Sequence, residues 1–489
     1  MIYVNLSLLI LCDAFLIVLI AASISEKEKQ AGLISLAALL INSLLWPGFI
    51  FFAYLRWVGI INLILLGVLL LFGVFSLLRF FPAVEERDVS AAEQYDERDH
   101  MLARNRLKNL PEAAAKYYAA HPEKKEIDKK IHAKPNLGEP GSTYYDKIYS
   151  PLFEAAFTNL ERTRSASMAE ENSKTKNHEK VKLHMHEKTG KAPEQKFFGG
   201  VKGGRFFKKA SSCRRRHEKT NSISGRMTAV IEETARFYGA VDVGITPLKP
   251  YHFYSHVGRR EEHWGEAVKS DHRFAIVIVV AMDVDMIKAA PGLPVVLESS
   301  RQYVEAAKIA NILAEYIRSF GCDARAHTDG NYQVLCVPLA VDSGVGVLGR
   351  LGLLLHPVYG PCVRISVVTT DIELLPTPKE KKFSPMETFC RICKKCADNC
   401  PSRAITHDEE PVSRGVRHWS IAQEQCFSMW KKFGTDCGLC ISVCPYTKPD
   451  TLVHKLVRFY VSRNPVNQRL ALFFDDLLYG RRPTRVGGQ

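Results

Sequence analysis

Eight of the 13 cysteines lie between Cys390 and Cys444, and this clustering constrains the fold more than any other feature of the 489-residue chain. The first run, "CRICKKCADNCP", separates its four cysteines by two, two and three residues and ends in a proline. A disulfide scaffold normally belongs to a small secreted domain whose cysteines are spread along the chain. Clustered thiols at short spacing instead indicate metal ligands that are kept reduced.

The spacing also indicates which metal centre the thiols serve. The first run has the C-x2-C-x2-C-x3-C-P pattern of bacterial two-cluster ferredoxins, in which the fourth cysteine ligates the other cluster. A second set starts at Cys426 and ends in "CGLCISVCP". Iron–sulfur clusters take soft thiolate ligands, and two proline-terminated runs argue against a pair of zinc sites. We therefore predict two [4Fe–4S] clusters in a ferredoxin-like domain over residues 379–489. One ligand set is Cys390, Cys393, Cys396 and Cys444, and the other is Cys426, Cys437, Cys440 and Cys400.

Residues 1–82 contain three apolar runs of the length that crosses a bilayer, roughly 20 residues each. No basic segment precedes the first run and further runs follow at once, which argues against a signal peptide. Asp13 lies inside the first run and should face a partner helix or the interface. Lys27, Lys29 and Arg79 favour the cytoplasmic side for the first loop and for the rest of the chain. We predict a three-helix transmembrane anchor in the inner membrane, with lipid as a partner and the C-terminal bulk of the chain facing the cytoplasm.

Two polar segments follow the apolar region. Residues 83–160 have a mostly helical pattern. Residues 161–222 are rich in Lys, Arg and Gly and lack hydrophobic periodicity, which predicts a disordered linker. Attraction of this linker to an anionic membrane surface is an open alternative. The chain has a net charge of +14, but no nucleic-acid partner is expected because the basic residues concentrate in a linker.

Residues 223–378 read as a compact α/β domain. The segments "RFAIVIVVAMD" and "CVRISVVTTD" are continuous apolar runs typical of buried strands. The segment "SSRQYVEAAKIANILAEYIRSFG" begins with serine and ends with glycine, the usual start and stop signals of a helix. Because helices and strands alternate, the predicted fold class is α+β or α/β.

A glycine-rich segment lies near the end of this domain, in "VDSGVGVLGRLG". Glycines there allow a backbone to approach a large ligand closely. The spacing does not fit the G-x-G-x-x-G dinucleotide fingerprint. Tight turns in a scaffold are an equally open interpretation.

The segment "AVDSGVGVLGRLGLLLHPVYGPCVR" resembles the glycine-rich segment of the corrinoid-dependent reductive dehalogenases, with departures at Ser343 and Val345. Both cysteine motifs, the upstream "DERDHMLARNRL" and the C-terminal "LYGRRP" resemble the same family. The likeness extends over residues 92–160 and 225–489. The usual twin-arginine export signal is replaced by apolar runs. The epoxyqueuosine reductases are near relatives that share the glycine segment and the two clusters.

This resemblance implies an oxidoreductase in which a nitroreductase-like domain holds a cobalamin-type corrinoid. Electrons would pass through the two clusters to cobalt and remove halogen from an organohalide. A proton donor is expected near "HTDGNYQ". The implied catalytic residues are Asp329, Asn331, Tyr332 and Arg364, with Tyr303 as a further candidate. The implied corrinoid-binding residues are Gly344, Gly346, Gly349, Arg350, Pro357, Tyr359 and Gly360.

The resemblance also implies an electron donor, such as a quinol-linked reductase or a ferredoxin. Two other functions stay open on the sequence. One is a corrinoid reductase for another substrate, such as a modified tRNA base. The other is a non-enzymatic electron-transfer subunit, which corrinoid content would distinguish from both enzymes.

Overall fold

The computed structural model describes residues 2–26, 28–52, 88–152, 222–378 and 384–483, with short pieces between 64 and 81 and between 155 and 158. Nearly all of the predicted linker therefore lies outside the described residues. The predicted domain boundaries stay predictions.

Two apolar helices, α1 (Ile2–Ser25) and α2 (Lys29–Phe52), pack against each other at the start of the chain. Asp13 on α1 accepts a hydrogen bond from Asn42 Nδ2 at 2.7 Å, so the partner helix expected for this charge is α2. Among the described residues, no helix combines the length and the apolarity that crossing a bilayer requires. The predicted three-helix transmembrane anchor is therefore not supported by the described residues, and much of the third apolar run lies outside them.

Three short helices lie in the described part of the polar segment that follows the apolar region. It contains α3 (Met101–Arg104), α4 (Pro111–Ala120) and α5 (Pro122–His132). A proline at the first position suits α4 and α5 because the N–H that it lacks would have no partner within the helix. These helices pack on the cysteine-rich region, where Phe427 meets Met101 of α3 and Ile131 of α5.

A buried ion pair fixes this packing. Arg104 Nη2 lies 2.5 Å from Asp128 Oδ1 and its Nη1 lies 2.6 Å from Glu424 Oε1. The side chains of Arg104 and Asp128 are each only 1% exposed. Burial raises the pKa of Glu424, but hydrogen bonds from Arg104, Lys124 and the backbone, together with the charge of Arg104, outweigh it and lower that pKa to about 2. The helical segment is thereby joined to α12 (Gln423–Phe433) by charge as well as by apolar contact.

Arg104→Met should lower the free energy of unfolding by roughly 3–5 kcal/mol, because it leaves the Asp128 carboxylate buried without its partner. Arg106→Met is the matched control, since its contact with Glu261 is 3.9 Å long and both side chains are about one third exposed. The control should change stability by less than about 0.5 kcal/mol. Denaturant unfolding of both variants measures the difference, and equal losses would contradict the assigned role of Arg104.

An antiparallel four-stranded sheet forms the centre of the predicted α/β domain, in the order β1-β2-β6-β3. Its strands are β1 (Asp242–Pro247), β2 (Phe274–Ala281), β3 (Ala324–His327) and β6 (Val363–Thr370). Alternate residues of β2 enter two different cores: Ile276 and Ile278 face one, Val277 and Val279 the other. Both faces are covered, which explains the continuous apolar runs. The buried strands are confirmed, and because every pairing is antiparallel the arrangement is α+β.

Helices cover both faces of this sheet. α6 (Ile223–Phe237) and α8 (Leu293–Arg318) pack on one face, and α9 (Cys336–Asp342) packs on the other. A short α7 (Val284–Lys288) precedes α8. The predicted start of α8 at the serines is wrong. The helix begins six residues earlier at Leu293, where a proline fits the first turn because its missing N–H is not needed there.

The cysteine-rich region is mostly helical. Besides α12, it consists of α10 (Ser384–Cys393), α11 (Lys395–Asp398), α13 (Leu439–Ser442), α14 (Leu452–Val461) and α15 (Pro465–Tyr479).

Two small ribbons complete the described strands. The glycine-rich segment forms β4 (Val347–Leu348) with β5 (Leu354–Leu355), and the cysteine-rich region forms β7 (Val412–Ser413) with β8 (Val416–Arg417). Leu351 and Leu355 share one apolar core with Ile405 and Trp419. The glycine-rich segment is therefore packed directly against the cysteine-rich region.

Candidate functional site

The first cysteine run turns sharply between two helices. Cys393 is the last residue of α10, and Lys394 adopts a left-handed conformation with φ of 56° before α11 begins. Cys437 is also left-handed, with φ of 62°. Such backbone is uncommon outside glycine, and here it curls both cysteine loops inward.

The structure brings the eight cysteines together in two groups. Burial raises the pKa of the Cys444 thiol well above its usual value, and the neighbouring Cys390, Cys393 and Cys396 raise it further. Burial likewise raises the pKa of Cys440, with further contributions from neighbouring cysteines. The neighbours of Cys440 are Cys437, Cys426, Cys396 and Cys400. The neighbourhood of Cys444 holds the four cysteines that the spacing predicts as one ligand set. The neighbourhood of Cys440 holds the other four together with Cys396, so the two groups adjoin at Cys396. The roles of these cysteines as ligands stay a prediction.

All eight donors of these groups are thiols, the donor type that iron–sulfur clusters take. In the described part of the chain, no group of His, Cys, Asp and Glu is arranged to hold one metal ion. A [4Fe–4S] cluster binds each thiolate at a different iron, so its ligands need not converge on one point. Burial raises the pKa of Cys396 to about 12, and bound iron would supply the positive charge that favours the thiolate.

A second constellation lies between the sheet and the cysteine-rich region. The Arg364 guanidinium, at the start of β6, lies 5.0 Å from the centre of the Tyr303 ring on α8. Ser299 Oγ accepts a hydrogen bond from Arg364 Nη2 at 2.5 Å, and Asp436 Oδ2 lies 3.7 Å from the same nitrogen. Burial raises the pKa of the Tyr303 phenol to about 12, while the charge of Arg364 pulls it down. The phenol is therefore protonated at neutral pH beside a cation that can stabilise its anion.

Three further side chains extend this constellation. Arg259 Nη1 lies 3.8 Å from Asp329 Oδ1, and its guanidinium lies 4.9 Å from the centre of the Tyr332 ring. Glu97 Oε1 accepts a hydrogen bond from Arg259 Nε at 2.8 Å. Burial raises the pKa of Tyr332 well above its usual value. The structure therefore brings Asp329 and Tyr332 into one region with two arginines, Arg259 and Arg364.

Asn331 is placed differently from the other predicted catalytic residues. It is 2% exposed, and its Oδ1 accepts a hydrogen bond from Arg325 Nη2 at 2.9 Å. Its Nδ2 and the hydroxyl of Thr328 are buried without a hydrogen-bond partner among the described residues. Because buried polar groups are normally satisfied, these two donors indicate a missing acceptor beside the loop that carries Asp329.

The glycines predicted to approach a corrinoid approach the protein itself. A Cβ on Gly346 would lie 2.4 Å from the Leu355 carbonyl oxygen, and one on Gly349 would lie 2.7 Å from the Leu355 side chain. Gly360, with φ of 56°, leaves no room for a Cβ beside Tyr446. Gly344 has φ of 76°, which itself favours glycine. Packing accounts for Gly346, Gly349 and Gly360, and backbone conformation accounts for Gly344. Contact with a corrinoid stays a prediction.

Arg350 points into the cysteine-rich region. It is 1% exposed, and its guanidinium lies 4.6 Å from the centre of the Trp419 ring. Its Nη1 donates to the carbonyls of Thr406 and Asp408 at 3.0 and 2.7 Å. These contacts tie the glycine-rich segment to the cysteine loops, so the described structure supports a bracing role for Arg350.

The turn that carries Pro357 and Tyr359 is held by a histidine. His356 Nδ1 accepts hydrogen bonds from the backbone N–H groups of Val358 and Tyr359 at 3.1 and 3.3 Å. Tyr359 packs against the apolar core below the sheet. Corrinoid contact by Pro357 or Tyr359 stays a prediction.

Sequence reasoning missed Arg259, Ser299 and Asp436. It gave Tyr303 only as a further candidate, after Asp329, Asn331, Tyr332 and Arg364. Tyr303 sits inside an ordinary amphipathic helix, and nothing local distinguishes it. The one usable signal was Asp436, a carboxylate directly before Cys437 in a cysteine motif.

Residues 389–448 match the family model of a 4Fe–4S dicluster domain, which confirms the prediction of two clusters. The chain is 34% identical over 227 residues to a tetrachloroethene reductive dehalogenase of Desulfitobacterium hafniense, covering 44% of this chain and 40% of that protein. The corresponding enzyme of Sulfurospirillum multivorans is 32% identical over 215 residues, covering 42% of each chain. The resemblance to the reductive dehalogenases is confirmed.

Solved reductive dehalogenases share the fold. A structure described in connection with B12-dependent dehalogenation is 25% identical with a TM-score of 0.50, covering 54% of this chain and 38% of that one. The catabolic reductive dehalogenase NpRdhA is 21% identical with a TM-score of 0.58, covering 84% and 49%. An epoxyqueuosine reductase of Lactococcus garvieae is 26% identical over 117 residues, covering 23% of this chain and 32% of that protein. The chain spans less than half the length of the reductive dehalogenases it matches.

Proposed function

We propose that the protein is a membrane-anchored reductive dehalogenase. It would replace a halogen of an organohalide by hydrogen, consuming two electrons and one proton and releasing halide. The two [4Fe–4S] clusters would deliver the electrons from a donor such as a quinol-linked reductase or a ferredoxin. When bound, a corrinoid would supply the reduced cobalt that breaks the carbon–halogen bond.

Two buried donors support a corrinoid beside the loop that carries Asp329. Thr328 Oγ1 and Asn331 Nδ2 have no hydrogen-bond partner among the described residues. A corrinoid carries amide groups around its rim, and their carbonyl oxygens would satisfy such donors. The chain thus offers matching chemistry there, while Gly346, Gly349 and Arg350 serve contacts within the protein.

The proposed proton donor is Tyr303. Its hydroxyl would donate the proton to the substrate carbon, and Arg364 would stabilise the phenolate that remains. Ser299 and Asp436 hold the guanidinium of Arg364 in place. The observation that carries the proposal is this pairing of Tyr303 with Arg364. Asp436, which contacts Arg364, directly precedes the predicted cluster ligand Cys437.

Anaerobically purified protein should contain about eight iron atoms, the content of two [4Fe–4S] clusters, and about one cobalt atom per chain. With a strong low-potential reductant and a chlorinated alkene, it should release free chloride, and alkylation of the reduced cobalt should stop the release. Iron-replete protein that contains no cobalt and cannot be reconstituted with a corrinoid would overturn the proposal. A role in electron transfer alone would then replace it.

Membrane attachment is proposed through the N-terminal helices. Large apolar side chains on α1 and α2 are exposed, among them Leu11, Phe15, Leu40 and Leu44.

The turn between these helices contacts the rest of the protein, because His454 Nε2 lies 2.9 Å from Glu26 Oε2 and Lys288 Nζ lies 2.5 Å from Glu28 Oε1. The lysines of this turn favour its cytoplasmic location, which supports a catalytic domain on the cytoplasmic side of the inner membrane.

Protease added outside intact spheroplasts should therefore leave the catalytic domain undigested, because the membrane lies between them. The same protease should cut the domain once the cells are lysed. A fragment recognised by an antibody against the cysteine-rich region reports the cleavage. Digestion in intact spheroplasts would reverse the orientation.

A further inference from the structure

The last two helices carry an exposed apolar surface. On α14, Leu452 and Leu456 are 71% and 61% exposed, and on α15, Phe473 is 59% exposed. The remaining members of this surface are Val457, Phe459, Val466, Phe474 and Leu477. Isolated exposed apolar residues are common, but eight large ones on two successive helices that contact each other are more typical of an interaction site. We call these eight residues the α14–α15 apolar face.

This face adjoins the N-terminal apolar helices. α2 packs against α15, and Gln30 Nε2 donates to the Leu477 carbonyl at 3.0 Å. Asn467 Nδ2 donates to the Ser76 carbonyl at 2.8 Å, and the Phe80 N–H donates to the Arg463 carbonyl at 3.0 Å. Residues at the start of α2 and near the end of the third apolar run therefore meet α15 or the turn before it. Exposed apolar side chains are thus found on both α2 and α15, two helices that contact each other.

Basic side chains accompany the aromatic ones. The Arg463 guanidinium lies 3.8 Å from the centre of the Phe459 ring. Within the described chain, neither Arg463 nor Arg469 forms an ion pair with a carboxylate. Apolar and aromatic residues on one helix face, with arginines at its edge, are typical of helices that lie in the headgroup region of a membrane. This composition favours lipid over a second copy of the chain.

We propose that the α14–α15 apolar face rests on a phospholipid bilayer, as a contact additional to the N-terminal helices. The opposite side of the pair packs on the first cysteine group, because Val461 of α14 and Leu472 of α15 contact the core around Cys393. One layer of helices therefore separates this group from the lipid. If the proposed function holds, electrons from a membrane donor would enter at the cluster bound by Cys393, but the lipid contact does not depend on that chemistry.

The test places the photoreactive amino acid p-benzoylphenylalanine at Phe459 or Phe473 of the full-length protein, incorporated in nanodiscs that contain phosphatidylglycerol. Phe237 is the matched control, because it is 60% exposed on α6, outside the proposed face. After irradiation, mass spectrometry counts peptides that carry one phospholipid. Iron content and retention in the nanodisc verify that each variant is folded and incorporated.

Lipid adducts should form at positions 459 and 473 several-fold more often than at position 237. Equal yields at the three positions would overturn the proposal. Cross-linking of positions 459 and 473 to a second protein chain would also overturn it and assign the face to self-association. Halide release does not enter this test, so failure of the lipid contact and failure of the proposed dehalogenase activity are distinguished.

Discussion

Tyr303→Phe should lower the turnover of an organohalide by roughly 10²- to 10⁴-fold, the usual contribution of a positioned proton donor. Phenylalanine keeps the ring that lies 5.0 Å from the Arg364 guanidinium, so the packing on α8 should survive. Only the transferable proton is removed. Iron and cobalt contents should therefore stay at the wild-type values while halide release falls.

Tyr316→Phe is the matched control for this variant. Tyr316 lies on the same helix and packs edge-on against Phe320, with 5.1 Å between the ring centres. It should retain full activity. A rate for Tyr303→Phe equal to that of this control would show that the donor lies elsewhere, and Asp329→Asn and Tyr332→Phe would be the next variants to compare.

Arg364→Gln tests how the donor is supported. Arg364 would act by stabilising the phenolate, so its loss should slow turnover and shift the alkaline limb of the pH–rate profile upwards. The sign follows from the charge, because removing a nearby cation raises the pKa of a phenol. A lower rate with an unchanged pH profile would instead indicate a role in packing.

The sheet could be predicted from the sequence because β2 and β6 are buried on both faces, and such strands are apolar without alternation. The start of α8 could not, because the serines at 299 and 300 have the composition of an N-cap although they lie within the helix. The observed start is marked earlier in the sequence, where Gly292 is the N-cap and Pro294 lies in the first turn. A capping pattern is a local preference, and tertiary packing extended the helix past it.

The candidate site shows the same limit. The cysteine motifs could be recognised from the sequence because cluster ligation requires one residue type at fixed spacing. Tyr303 did not, because its position depends on α8 facing the start of β6, two elements far apart in the sequence. The glycines were interpreted as points of close approach to a large ligand, and that interpretation stays a prediction. For Gly346 and Gly360, however, the approaching groups are Leu355 and Tyr446, which no local pattern identifies.

The crossed ligand sets give the other large expected effect. Cys444 is 51 positions after Cys393 in the chain, yet the structure places both in one group of thiols. Cys393→Ala and Cys444→Ala should therefore remove the same cluster, with iron falling from about eight atoms to about four per chain. Cys440→Ala should remove the other cluster, because three of the four cysteines that neighbour its thiol, Cys400, Cys426 and Cys437, belong to the second predicted set.

Electron paramagnetic resonance of the reduced variants distinguishes the two clusters. Cys440→Ala should retain the signal that Cys393→Ala and Cys444→Ala lose, and should lose the signal that they retain. Cys322→Ala is the control and should keep both signals, because Cys322 packs under the sheet away from the cysteine-rich region. The decisive comparison is between Cys444→Ala and Cys440→Ala, which are only four residues apart in the sequence. If both lost the same signal, each cluster would be bound by one continuous run of cysteines, and the crossing would be wrong. Opposite losses would show that two distant loops close around each cluster, which is the arrangement that ties α10 to the end of the second cysteine run.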